Sequence, residues 1–178
     1  MATRLEEPRR LSSPIRYSAT RTACAPRALK LLAERIQLLS TQARELEREL
    51  LALSREIAPA LLDERGIGPI GAAQALVSWS HRGRFASEAA FARLAGAPPI
   101  PASSGRTIRH RLDRGGDRKL NNVLHQIVIT RRKHDPHTIA SIERRRREGK
   151  IEREAIRCLK RYAARPLLRL LEANAATA

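Results

Sequence analysis

Aromatic residues are scarce, at 3% of 178 residues, with one Trp, two Tyr and two Phe. That scarcity argues against a surface on which successive single-stranded bases stack, because each base needs a ring to lie on. Cysteine is equally thin. Cys24 and Cys158 are far apart and show neither C-x-x-C nor Cys/His ligand spacing, so no disulfide framework or structural zinc is expected, and the default compartment is a reducing cytoplasm. No apolar run approaches the roughly 18 residues of a membrane-spanning helix, and the N-terminus has no apolar signal-peptide core. No membrane association is expected. Acidic residues are also in short supply: 18 Asp and Glu face 35 Lys and Arg, for a net charge of +17. An excess of that size points to a polyanionic partner, since cationic side chains that neutralise phosphates release condensed counterions. Nucleic acid is the leading candidate, with duplex backbone contacts the easiest to supply from this inventory. Arg far outnumbers Lys, which fits bidentate contacts to phosphate or guanine.

What is present reads as mainly α-helix. Residues 1–26 mix Arg, Ser, Thr and Pro without a repeating apolar face and are expected to form a flexible basic leader. From Arg27 to Ile57, Leu29, Leu32, Ile36, Leu39, Ala43, Leu46, Leu50 and Leu53 recur at alternating steps of three and four, flanked by charges. This is a coiled-coil seam, and it predicts a long helix that pairs with another. Pro59 perturbs that helix, and residues 58–174 follow as a compact helical domain, with 175–178 as a tail. Within it, Gly66-Ile67-Gly68-Pro69 reads as a turn between helices. A short helix is expected from a Ser87 cap to Leu94 with Gly96 as its stop. Ala97-Pro98-Pro99-Ile100-Pro101 excludes regular helix. Thr107 to Leu112 alternates apolar and basic residues, as an extended or hairpin arm would. Further helices are expected from an Asp117 cap to about Lys133, from about His137 to Glu148, and from about Ile151 to Ala173, the last with a kink or break at Pro166.

Three groups of residues suggest chemistry. The turn at Gly66 and Gly68 resembles a helix-hairpin-helix, in which glycines permit a tight turn and N–H groups at the next helix start hold a phosphate. Ser103-Ser104-Gly105 follows the proline-rich segment, and Ser-Gly is first of all a good loop former. A serine on such a turn has an exposed Oγ, however, and Arg106, Arg109 and Arg111 lie close enough in sequence to stabilise charge on a phosphate under attack. His110 is the nearest candidate base and is more readily read as a phosphate contact. Arg114, Arg118 and Lys119 continue the basic stretch, and Arg144, Arg145, Arg146 and Arg147 form the densest local charge, expected to contact DNA backbone. Tyr162 raises a tyrosine recombinase, but its helical spacing with Leu159 and the lack of an Arg-His-Arg set favour packing.

The order of these features resembles the C-terminal domain of the insertion-sequence family one-ten transposases, from about Ala28 to Leu171. It rests on the coiled-coil linker, Gly66-Ile67-Gly68-Pro69, Arg84-Phe85-Ala86-Ser87, Leu94-Ala95-Gly96-Ala97-Pro98, Ser103-Ser104-Gly105 and Arg114-Gly115-Gly116-Asp117-Arg118-Lys119-Leu120. The resemblance implies that the Ser-Gly serine is the nucleophile that cleaves DNA and becomes covalently joined to it. The matching position is Ser104, with Ser103 as the fallback. It also implies a RuvC-like N-terminal domain whose four acidic residues bind a divalent metal such as Mg, and a guide non-coding RNA. Residues 1–27 have no strands on which carboxylates converge, so this chain is expected to lack that domain, to hold no metal of its own and to be inactive alone.

Two functions follow as expectations. The first is the C-terminal half of a serine transposase that binds DNA, self-associates or pairs with a full-length transposase through its coiled coil, and works at the nucleoid of a prokaryotic cytoplasm. The alternative is a non-enzymatic dimeric DNA-binding or regulatory module.

Overall fold

A computed structural model describes residues 18–101, 110–111 and 113–174 of the chain. The fold is mainly α, as the sequence leads one to expect: seven helices and one two-stranded ladder among those residues. Helix α1 runs from Ser18 to Ile57. It therefore starts ahead of the leucine register and takes in the end of the segment expected to be a flexible leader. A repeating apolar face marks where a helix is buried, whereas Ala19, Ala23 and Ala25 favour helix without creating such a face. Pro26 lies inside α1 and removes one helical hydrogen bond.

The chain divides into two units between Arg44 and Glu45. In the first, Leu29, Leu31, Leu32, Ile36, Leu38 and Leu39 of α1 are all exposed. The second unit takes in the end of α1 and every element after it. Helix α1 ends where Ala58 leaves helical geometry and Pro59 opens the short α2 (Pro59–Asp63). A turn then leads to α3 (Pro69–Trp79), which has Pro at its first position, where a missing N–H costs nothing. Helix α4 (Glu88–Leu94) is capped by Ser87, whose Oγ accepts from Ala90 N at 3.2 Å. Strands β1 (Ile100–Pro101) and β2 (His110–Arg111) pair antiparallel, Ile100 opposite Arg111 and Pro101 opposite His110.

Helix α5 (Arg118–His134) starts on Asp117, whose Oδ1 accepts from the N–H groups of Lys119 and Leu120. Asp135 ends α5 and caps α6 (Pro136–Arg147), accepting from His137 N and Thr138 N. One side chain thus turns one helix into the next. After Gly149, in the left-handed region at φ +80°, the last helix is α7 (Glu152–Asn174). It runs unbroken through Pro166, so the expected break is absent: α7 is packed along its length and tolerates one missing bond.

Helix α7 is the hub of this unit, packing against α2, α3, α4, α5 and α6. Its Leu167, Leu168 and Leu171 join Leu61, Phe91, Leu120, Leu124 and Ile127 in a single core. Each fully buried side chain of this kind contributes about 1.5–3 kcal/mol. Phe85 stacks edge-on against Phe91 with ring centroids 5.1 Å apart. At the far end, Trp79 Nε1 donates to Glu172 Oε1 at 2.8 Å, tying α3 to α7.

Candidate nucleic-acid interface

The turn between α2 and α3 is held from below. Arg131 of α5 donates to Glu64 Oε1 at 2.6 Å, and Ile67 is buried in the core. Gly66 has φ +95°, and a Cβ there would lie 2.9 Å from Ile127 Cα and 3.2 Å from Thr130 Cβ. Both the backbone conformation and the close approach to α5 therefore require glycine. Gly68 differs: it has φ −95° and open space where a Cβ would be. It precedes α3, which no side chain caps, so the N–H groups of Ile70 and Gly71 stand at the helix start without an intrahelical acceptor. A groove of about 750 Å³ opens there, walled by Gly66 to Gly71 on one side and by Arg118, Lys119 and Asn122 of α5 on the other.

The second feature is a pinch at the base of the serine segment. Gly96, at φ +60°, lies against Gly116; a Cβ on Gly116 would meet Gly96 Cα and Leu94 O, each at 2.7 Å. Asp117 N donates to Leu94 O at 2.6 Å across the same contact. This explains why Leu94-Ala95-Gly96 and Gly115-Gly116-Asp117 occur together: two glycine backbones touch where no side chain fits. The β1–β2 ladder continues the contact, and Gly115 N donates to Asp113 Oδ1 at 2.9 Å. Ser103, Ser104, Arg106 and Arg109 lie outside the described residues, as do Thr107, Ile108 and Leu112 of the expected arm. His110 and Arg111 form β2 and are exposed, as is Arg114.

Beside the pinch is a second cavity of about 640 Å³, lined by Arg114, Arg118, Asn121, His125 and Lys160 together with Asp113. Arg118 and Asn122 line both cavities and so link them. Lys160 is only 8% exposed, and its Nζ donates to Asn121 Oδ1 at 2.7 Å. Asn121 Nδ2 in turn donates to Ala95 O at 2.5 Å. Burial, and then repulsion from Arg157, holds Lys160 below its ordinary pKa. Burial, reinforced by the Lys160 charge, likewise lowers that of His125, favouring the neutral imidazole.

Sequence reading did not single out Lys160, His125 or Asn121. For Lys160 a signal was available. It falls four residues after Ile156 and three and seven before Ala163 and Leu167, on the apolar face of α7, where a lysine is out of place.

The arginine run divides. Arg145 pairs with Glu148 and Arg146 with Glu152, the latter also bound by Arg132. Arg144 and Arg147 make no ion pair among the described residues. Tyr162 is half-exposed rather than packed in the core, with the Arg165 guanidinium 5.4 Å from its ring centroid. No three His, Cys, Asp or Glu side chains among the described residues converge as metal ligands. These described residues therefore do not fit a divalent ion.

Residues 58–143 match the model of the Transposase IS116/IS110/IS902 family. Over that stretch, just under half of the chain, the sequence is similar to the transposase domain of that family. The matched stretch runs from the end of α1 into α6 and contains both the Gly66 turn and the glycine pinch. The likeness supports a role in DNA transposition or recombination. Most of α6 lies within the match, whereas Lys160 and the rest of α7 lie beyond it. No curated protein matches the chain. Among the described residues, no helix is long and apolar enough to cross a membrane.

Proposed function

We propose that this chain grips duplex DNA through the Gly66–Gly68 turn and the two linked cationic cavities, and that Ser104 attacks a DNA phosphate there, with Ser103 as the alternative. The observation that carries the reading is the pinch. Gly96 against Gly116 holds the chain on either side of the β1–β2 ladder together beside the cavity of Arg114, Arg118 and Lys160, and Ile100 opposite Arg111 joins the two ends that flank residues 102–109. A serine on the segment between those ends, with arginines on both sides of it in sequence, suits phosphoryl transfer, which requires a positioned nucleophile and positive charge near the phosphate.

In the step itself, a bond forms between the serine Oγ and phosphorus as the bond from phosphorus to one sugar oxygen breaks. The serine proton leaves to a base or water, and the sugar oxygen takes one up. Arg106, Arg109, Arg111 and Arg114 offset charge on the non-bridging oxygens. The acidic, metal-binding domain implied by the family resemblance would complete the site from another segment or chain, and a guide RNA would meet the same phosphate chemistry. The exposed leucine face of α1 supports self-association or pairing with a longer family member.

A suicide DNA duplex, nicked so that the cleaved end diffuses away, tests the serine. Incubated with the chain, with and without an acidic RuvC-like domain, it should leave a protein–DNA adduct on a denaturing gel that Ser104→Ala abolishes. An adduct that survives Ser104→Ala but not Ser103→Ala moves the role to Ser103. No adduct in either condition overturns the nucleophile and leaves a non-enzymatic DNA-binding or regulatory module.

A further inference from the structure

We infer that the cavity floored by Lys160 is a binding site for one backbone phosphate of the DNA duplex. The inference rests on DNA being the partner, and it does not depend on the serine chemistry. Lys160 is a buried ammonium, and among the described residues no carboxylate lies within ion-pair distance of it; its partner is the neutral amide of Asn121. A buried charge is stable only when paired or fully hydrogen-bonded, and an ammonium has three donors, of which Asn121 takes one. The neighbourhood adds to the deficit. Arg114 and Arg118 line the same cavity, while Asp113 is its one carboxylate, with Oδ1 engaged by Gly115 N. A site with this balance is completed by an anion.

The cavity's surroundings favour a phosphodiester. It holds about 640 Å³, more than a lone phosphate fills, which leaves room for the flanking sugars. It shares Arg118 and Asn122 with the groove at the start of α3, so a strand seated on the Gly66–Gly68 turn passes beside it. The amide relay from Lys160 through Asn121 to Ala95 O fixes the ammonium relative to the foot of the serine segment. Lys160 is thus a positioning residue that sets the register of the strand.

Anisotropy of a labelled duplex, measured with the full chain over a range of salt, tests this. Lys160→Met should weaken binding about 10-fold and reduce the slope of log affinity against log salt by about 0.9, the contribution of one phosphate contact. Neutral methylphosphonates placed one at a time along the duplex should reveal a single position that weakens wild-type binding by about 10-fold and leaves Lys160→Met unaffected. If thermal unfolding shows that Lys160→Met does not fold, Arg114→Ala on the exposed rim takes its place, with the same position expected to lose its effect. A folded Lys160→Met protein with wild-type affinity and slope would make the lysine a purely structural tie and overturn the inference. A loss confined to RNA duplexes would overturn it too. The readout is independent of the covalent adduct: an absent adduct with the slope change intact strikes only the serine reading, and the reverse strikes only this one.

Discussion

Gly116 and Gly96 approach so closely that a Cβ on the first would lie 2.7 Å from Cα of the second. Real Cβ atoms do not tolerate that distance to backbone, so Gly116→Ala must push apart the two feet of the serine segment. The expected cost is about 1–3 kcal/mol, seen as a lowered melting temperature. Gly68→Ala is the control, since open space receives its Cβ. It should cost no more than about 1 kcal/mol, reflecting only the preference for Gly over Ala ahead of a helix. Equal losses in the two variants would mean that the pinch does not stabilise the domain.

Asp117 predicts a pH dependence. Burial raises its pKa, but the Ser78 hydroxyl at 2.6 Å, the N–H groups of Leu120 and Lys119, and the Lys119 charge outweigh burial, so the net shift is downward. A carboxylate with a depressed folded-state pKa binds protons less readily folded than unfolded. Its stabilisation is therefore complete above the unfolded value, about pH 4, and is lost as pH falls through the lower folded value. Asp135, lowered chiefly by its bond to Thr138, acts in the same direction. Asp117→Ala should cost about 1–2 kcal/mol at pH 7. Its stability should then fall less steeply than wild type below pH 4 in denaturant titrations. Parallel acid limbs would show that Asp117 is not a source of the dependence.

Much of this frame is legible in the sequence because it rests on local rules. Ser87 and Asp117 cap the helices that follow them, and Gly96 stops α4, as their residue types foretell. The pinch and the Lys160 cavity are less legible because they join residues distant in the chain. Nothing near Gly116 says that its neighbour is Gly96, and Asn121 reads as a polar surface residue until α7 is laid beside α5. Pro166 misleads for a related reason: its local cost is outweighed by packing along the whole of α7.

The groove at the start of α3 makes a prediction about salt. Arg118 and Lys119 face it from α5. Arg118→Ala and Lys119→Ala should each weaken duplex binding at low salt and reduce the log–log salt slope by about 0.9. The Arg145→Ala/Arg146→Ala double variant should change the slope by less, since Glu148 and Glu152 already pair with these side chains. Equal slope changes from the two pairs would place the arginine run on the DNA and contradict this ranking.

Helix α1 carries the last prediction. Leu29, Leu32, Ile36 and Leu39 are 67, 60, 62 and 47% exposed, yet they recur at the coiled-coil spacing. Four consecutive seam positions left in water forgo the burial for which that spacing is suited, and each fully covered leucine or isoleucine regains about 1.5–3 kcal/mol. A second copy of the same helix supplies an equivalent face, so the chain is expected to sediment as a dimer or higher oligomer. Leu32→Asp/Leu39→Asp should convert it to a monomer, because two charges would then be buried at the seam without partners. The melting temperature of the second unit should change little at fixed concentration, since these positions lie in the first unit. A wild-type chain that sediments as a monomer at micromolar concentration would refute the dimer and leave the leucine face to a different helix, such as that of a longer transposase.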